Sequence, residues 1–274
     1  MTLTVEEVVK QLAWVEASAK QYRWVRAPLR QEDIPSIQEA SEESPFDPLK
    51  LRSSLMKNPH IFVKELRSDK HILARVIVIT EKGHIAKIPW DLYRSIFTAF
   101  GKCRGKPFWK ALVFASLSPR LFPPPGEQPT QAHVNGGYAQ SNDPQSVVIY
   151  REEESERVLV HELLHACGSD NFNHEEWERE ARTETWAELF LIGILAKGSV
   201  AKGLKLWRVQ AQWIADKEAQ LQRDHNVVGP SDYAYRYTVG RRDVLKDLGL
   251  PLPQPSGTHL TSLRFTTPAL IHSD

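Results

Sequence analysis

The sequence has little cysteine, no excess of charge of either sign and no long apolar run. Of its 274 residues only two are cysteines, Cys103 and Cys167, which is typical of free thiols in a reducing compartment. The 35 Lys and Arg residues nearly balance the 34 Asp and Glu residues, which disfavours a nucleic-acid binder. No apolar stretch approaches the length of a membrane span, and the first 26 residues lack the basic and apolar regions of an export signal. We therefore expect an intracellular protein that binds neither nucleic acid nor membrane.

The two ends of the chain differ in pattern from its middle. Residues 1–58 predict a helical accessory region, because apolar residues follow helical spacing up to Arg26 and the Pro-containing stretch 44–48 then interrupts the helices. Three prolines, Pro251, Pro253 and Pro255, predict a Pro-rich, polar C-terminal tail over residues 251–274.

The middle, residues 59–250, predicts one catalytic domain. The β-type runs are Ile61–Leu66, His71–Thr80 and Trp109–Ala115, followed by short strands around residues 133–140 and 146–150. The helical patterns are 90–103, 151–167, 174–197, 200–223 and 239–248, with Gly168 and Gly198 ending the second and third. We therefore expect an α+β fold with a small mixed sheet, an active-site helix and a mostly helical C-terminal part.

One motif carries chemistry. His161-Glu162-Leu163-Leu164-His165 places two imidazoles four residues apart on one face of a helix, where they can share one metal ion. Glu162 projects about 100° around the helix from His161, which keeps it off the metal but near a water on it. The motif predicts a zinc site in which Glu162 is the general base.

A catalytic zinc takes three protein ligands, so the motif needs a third. We choose Glu184, on the next predicted helix. We expect Glu188, four residues farther on, to orient a ligand histidine by accepting a hydrogen bond from the ring N–H that does not face the metal. Asp170 and His174 stay open as alternative third ligands. A structural zinc would recruit a fourth ligand such as Cys167.

The motif and the downstream Thr183-Glu184-Thr185-Trp186-Ala187-Glu188 together resemble the gluzincin metallopeptidases. The resemblance implies a zincin-like fold, zinc held by His161, His165 and Glu184, and a protein or peptide substrate. It also implies that Asn135, Gly136, Gly137 and Tyr138 form an edge strand that pairs with the substrate backbone. The segment from about residue 109 to 190 is also similar to metallopeptidases encoded by large DNA viruses, which would place the protein in a virion or in host cytoplasm.

Hydrolysis also needs a donor to the oxyanion that develops on the substrate. Gluzincins supply a tyrosine or histidine from downstream of the zinc ligands, so the resemblance points to Tyr235 or Tyr237. His225 is a less favoured candidate for the same role. We expect a zinc-dependent peptidase. The alternative is a structural or virion protein on the same scaffold that no longer turns over.

Overall fold

The computed structural model describes residues 3–103 and 105–271 of the chain, and the side chain of Ile271 is not part of that description. The protein is mixed α+β, with one small mixed sheet and many helices. The chain divides into two compact units. We call residues 15–119 and 135–169 the sheet unit, and residues 1–14, 120–134 and 170–274 the helical unit.

The sheet unit contains the six strands of the sheet and five of the described helices. Its strands are β1 (Arg23–Ala27), β2 (Pro59–Arg67), β3 (Ile72–Glu81), β4 (Trp109–Phe114), β5 (Gly137–Tyr138) and β6 (Val147–Ile149). Its helices are α2 (Trp14–Ala19, whose first residue belongs to the helical unit), α3 (Asp33–Ser41), α4 (Leu51–Leu55), α5 (Trp90–Phe100) and α7 (Ser155–Ala166).

The strand order in the sheet is β1-β2-β3-β4-β6-β5. The first three strands pair antiparallel, β3, β4 and β6 run parallel, and β5 pairs antiparallel with β6. All six residues of β4 are buried, as expected for a central strand covered on both faces. The short strand β5 is thus left at the edge of the sheet.

Each face of the sheet packs against its own helices. On one face, Ile77, Ile79 and Leu112 form a core with Ile37 and Ala40 of α3, and α4 packs against the same cluster. Because side chains alternate along a strand, Val76 and Val78 of β3 project to the other face. There Trp24 of β1 donates from its indole nitrogen to Trp90 O of α5, and α7 packs against β5 and β6.

The helical unit is built around two long helices. Its elements are α1 (Val5–Leu12), α6 (Gln131–Val134), α8 (Glu176–Ala196), α9 (Val200–His225), a 3₁₀ helix (Tyr233–Tyr237), α10 (Arg241–Asp247) and α11 (Pro268–Ile271). Thr4 and Glu7 form a reciprocal capping box that starts α1. The apolar face of α1 packs on α8 and α9, where Gly193 and Gly203 leave room for Leu12 and Val9.

The segment after Pro251 lies along α9. Gln210 donates to Phe265 O and accepts from Thr267 N, and Gln220 makes the same pair of bonds with Leu260. Lys217 donates to Arg264 O. Side chains of Leu260, Leu263 and Phe265 are buried, so the segment predicted to be a polar tail contributes to the core of this unit.

The predicted strands β2, β3 and β4 and the two helices around the motif are confirmed, with ends shifted by a few residues. The helix predicted up to Arg26 is wrong, because α2 ends at Ala19 and residues Arg23–Ala27 form β1. The strand predicted around residues 133–140 is only the two-residue β5, preceded by α6. The domain boundaries after residues 58 and 250 stay predictions. Within the described ranges, none of the helices combines the length and apolar character that a membrane span requires.

Candidate metal centre

The histidines of the motif lie on α7, a helix buried on nearly every side. Gly168, with a φ of +79°, lets the chain turn sharply just after the helix, and its N–H donates to His165 O. His161 is 6% exposed and His165 is half-buried. Their Nε2 atoms lie 3.1 Å apart. Two nitrogens bound to one tetrahedral zinc at about 2.0–2.1 Å would be roughly 3.3 Å apart, so the two imidazoles fit a shared metal.

A carboxylate joins these imidazoles in a possible metal site. Ligand atoms of His161, His165 and Glu180 all lie within 4.8 Å of one another, so the three residues could bind a metal ion. Sequence reasoning missed Glu180, which belongs to an acidic run that reads as a solvated helix face. The spacing in the sequence could have indicated Glu180, because Glu180, Glu184 and Glu188 recur every four residues and share one face of α8.

Glu184 and Glu188 are both buried on α8, at 3% and 0% exposure. Glu188 accepts from Arg241 of α10 at 3.4 Å, and that arginine is itself fully buried. A buried carboxylate needs such a partner because desolvation of its charge is costly. Nothing in the sequence around Arg241 pointed to this pairing. The roles predicted for Glu184, as third ligand, and for Glu188 stay predictions.

Glu162, the predicted general base, lies against the edge strand of the sheet unit. Its side chain is 4% exposed. A Cβ added at Gly137 would come within 2.8 Å of Glu162 Oε1 and 2.6 Å of Val158 Cγ1. At these distances a side chain at residue 137 would require its neighbours or the strand to shift. The absence of a Cβ at residue 137 therefore lets the backbone of β5 approach the carboxylate of α7 directly.

Strand β5 ends the strand order of the sheet, so among the described residues only one side of its backbone pairs with another strand. Gly136 O accepts from Tyr150 N at 2.8 Å, and Gly137 is paired with Ile149 in the antiparallel ladder with β6. Because hydrogen-bonded and non-hydrogen-bonded pairs alternate in such a ladder, the N–H and C=O of Gly137 point away from β6. An extended chain could add to this edge.

Asn135 and Tyr138, which are also predicted to bind the substrate, each form a side-chain hydrogen bond. Asn135 donates from Nδ2 to Phe46 O at 3.0 Å. The hydroxyl of Tyr138 accepts from Arg52 Nη1 at 3.2 Å. Burial raises the pKa of Tyr138, the adjacent Arg52 opposes the rise, and the negative charge of Glu162 adds to it.

The two tyrosines predicted as oxyanion donors have different surroundings within the helical unit. Burial raises the pKa of Tyr237 well above its usual range, and the charge of Glu180 raises it further, so the hydroxyl of Tyr237 stays protonated beside that carboxylate. Tyr235 instead packs edge to face on Trp177, with ring centroids 5.6 Å apart, and against Gly240. Of the two tyrosines, Tyr237 is the one whose pKa the charge of Glu180 raises, whereas the charges that act on Tyr235 are those of Asp243, Glu218 and Arg242.

Three other residues considered from the sequence have local partners. His174 Nδ1 lies 3.1 Å from Glu178 Oε1, one turn along the chain. His225 stacks on Phe122, and its Nδ1 lies 2.8 Å from Glu127 O. The Cys167 thiol is exposed and donates to Leu164 O. The roles considered for these three residues stay predictions.

Comparisons of the chain with models of protein families, with curated proteins and with solved structures gave no match.

Proposed function

We propose that the chain is a zinc-dependent peptidase of the gluzincin type with a zincin-like fold, in which His161 and His165 hold the metal and Glu162 is the general base. The observation that carries the proposal is the arrangement on α7. Two imidazole nitrogens converge to 3.1 Å, and the carboxylate next to them in sequence faces Gly137 of the edge strand, whose backbone N–H and C=O point away from β6. A pair of core histidines would need neither the carboxylate nor the open strand.

The ligands fit zinc by their chemistry. Two neutral imidazoles and one carboxylate are a common set for a catalytic zinc, and they leave one position open. A carboxylate of α8 supplies the third ligand, either Glu180, whose oxygen lies within the 4.8 Å cluster, or Glu184, to which the gluzincin resemblance points. When bound, zinc polarises the scissile carbonyl and lowers the pKa of water.

Three groups of the protein carry out the remaining steps: the Glu162 carboxylate, the Gly137 backbone and the Tyr237 hydroxyl. Glu162 accepts a proton from the attacking water and returns it to the nitrogen of the leaving amine, so the carboxylate is regenerated in each cycle. The N–H and C=O of Gly137, which point away from β6, bind the substrate backbone in extended form, so we expect the substrate to be an unfolded protein segment or a peptide. The hydroxyl of Tyr237 donates to the developing oxyanion.

The test measures metal and turnover in the same protein samples. We expect one zinc per chain in wild type, loss of zinc in His165→Ala, and retained zinc without turnover in Glu162→Gln, assayed on a casein-type protein substrate. The matched controls are His71→Ala, at a half-buried histidine that contacts Tyr22, and Glu152→Gln, at a half-buried glutamate paired with His84. Both controls should keep zinc and turnover.

Each contrary outcome has a meaning. A wild-type protein that binds no zinc after metal-replete purification would overturn the proposal. Zinc held by His161 and His165 without hydrolysis of any protein substrate would favour the alternative, a structural or virion protein. The intracellular location and the relationship to peptidases of large DNA viruses stay predictions from the sequence.

A further inference from the structure

Arg52 of α4 is a buried arginine that is held rigidly from its own side of the sheet unit. It is 2% exposed. Its Nε donates to Asp47 Oδ2 at 3.1 Å, Nη1 to Ala40 O at 2.8 Å and Nη2 to Glu42 O at 3.1 Å. Asp47 is fixed in turn by the backbone N–H groups of Leu51 and Arg52. The guanidinium therefore has little freedom to move.

The same guanidinium reaches the edge strand. Its Nη1 donates to the hydroxyl of Tyr138 at 3.2 Å. Its central carbon lies 5.3 Å from the ring centroid of Tyr138 and 5.5 Å from that of Tyr150, which follows β6. Cation–π contacts with two rings and one charged hydrogen bond thus join α4 to the β5–β6 pair.

Strand β5 is therefore held from both faces of the sheet. Gly137 faces α7 and Glu162, and the next residue, Tyr138, points to the opposite face, where it packs on the core formed with α3 and α4. The ladder between β5 and β6 has only two paired positions, so it fixes the strand weakly by itself. A second link comes from Phe46 O, which accepts from Asn135 Nδ2 and from the Tyr150 hydroxyl.

We infer that Arg52 is a positioning residue, which acts through Tyr138 to hold the substrate-binding strand β5 at its place beside Glu162. The inference rests on the proposed function and extends it to the N-terminal region, 86 residues earlier in the chain than the strand. The predicted accessory region, residues 1–58, then contributes to substrate binding because its Arg52 supports the strand that binds the substrate. A purely structural arginine would stabilise the fold without affecting substrate affinity.

The first variant is Tyr138→Phe, which keeps the ring and removes only the hydroxyl. We expect the backbone amides of residues 136–140 to exchange with solvent roughly tenfold faster, the factor that corresponds to one hydrogen bond to a charged group. We expect KM to rise by a similar factor, kcat to stay within about twofold, and zinc content and thermal midpoint to stay near the wild-type values. Unchanged amide exchange in this variant would overturn the inference.

The second variant is Arg52→Lys, combined with Tyr138→Phe in a double-mutant cycle. If Arg52 acts through Tyr138, the double variant should have the same KM as Arg52→Lys alone, whereas independent roles would multiply the two effects. The matched control is Arg75→Lys, at an equally buried arginine in the same unit that pairs with Asp33 and Glu65. It should lower stability without changing KM or the exchange of residues 136–140.

The readouts separate the two proposals. A wild-type protein without hydrolysis would refute the proposed function, and amide exchange would still decide whether Arg52 positions β5. A KM that rises as much in Arg75→Lys as in Tyr138→Phe would assign the effect to general destabilisation and overturn the inference.

Discussion

Replacing Gly137 by alanine tests the close approach between the edge strand and the general base. The added Cβ would lie 2.6 Å from Val158 Cγ1, 2.8 Å from Glu162 Oε1 and 2.8 Å from Val148 O. Ordinary contact begins at 3.4 Å, so these atoms must separate by 0.8, 0.6 and 0.6 Å respectively. Val148 O belongs to the backbone of β6, so most of the movement falls on β5, Val158 and Glu162.

We expect Gly137→Ala to lower both the stability of the protein and its rate of hydrolysis. Overpacking of this kind lowers the free energy of unfolding by about 1–3 kcal/mol, partly offset by the ~0.4–1 kcal/mol that alanine gains over glycine from the unfolded chain. Displacing a catalytic group by about 1 Å costs on the order of 100-fold in rate. The three atoms nearest to the added Cβ belong to neither motif histidine, so zinc should stay bound.

The assay compares three quantities in Gly137→Ala and in Gly229→Ala. Gly229 has open space around its Cβ position and no positive φ, so its variant should match wild type in urea denaturation, zinc content and casein hydrolysis. Wild-type turnover in Gly137→Ala would refute the reasoning, because it would mean that Glu162 needs no close contact with β5. Loss of zinc in that variant would refute the assignment of the clash to the base alone.

Three further predictions concern the helical unit. The carboxylate that binds the metal, Glu180 or Glu184, should lower zinc affinity by more than roughly 100-fold when changed to Gln, measured by competition with a chelator, and full affinity in both variants would contradict a carboxylate ligand from α8. Tyr237→Phe should slow hydrolysis by roughly 100- to 1,000-fold while Tyr235→Phe stays near wild type, and the reverse order would exchange their roles. Burial raises the pKa of Glu218 to about 7, despite its bond to Arg242. The folded state then holds a proton that the unfolded state loses above pH ~4.5. The contribution of Glu218 to stability is therefore fully present below that pH and falls by up to ~3 kcal/mol as the pH rises to about 7. The stability of Glu218→Gln in urea denaturation should lack this component of the pH dependence.

The sequence predicted the elements whose pattern is set by local burial. The runs that became β2 and β3 are rich in β-branched residues, and the helix that carries the motif ends at a glycine, so both follow from spacing and composition. Strand β1 was missed because Arg-Trp-Val-Arg-Ala has little apolar alternation. Its extended form depends on pairing with β2 and on the contact of Trp24 with Trp90, both distant in sequence.

The candidate site was predictable where its residues are neighbours along one helix. The spacing of His161, Glu162 and His165 was enough to place all three on α7. The contacts of Gly137 with Glu162, and of Arg52 with Tyr138, join residues from different elements, and no periodicity encodes them. A buried arginine also reads in sequence as an ordinary surface residue, because burial is decided by partners that only the fold brings near.

The sheet unit can form before the helical unit during synthesis, because the two units are built from different segments of the chain. The sheet unit is complete once residue 169 has emerged, whereas the helical unit joins residues 1–14 to residues 170–274. At roughly 5–20 residues per second, the stretch from residue 170 to the end of α9 at His225 takes about 3–11 s to synthesise. Throughout that interval the apolar face of α1 has no complete α9 to cover it, so the nascent protein carries a hydrophobic segment that its partner helix does not yet bury. We expect chaperones that bind such segments to associate with the chain until α9 and the segment along it have been made.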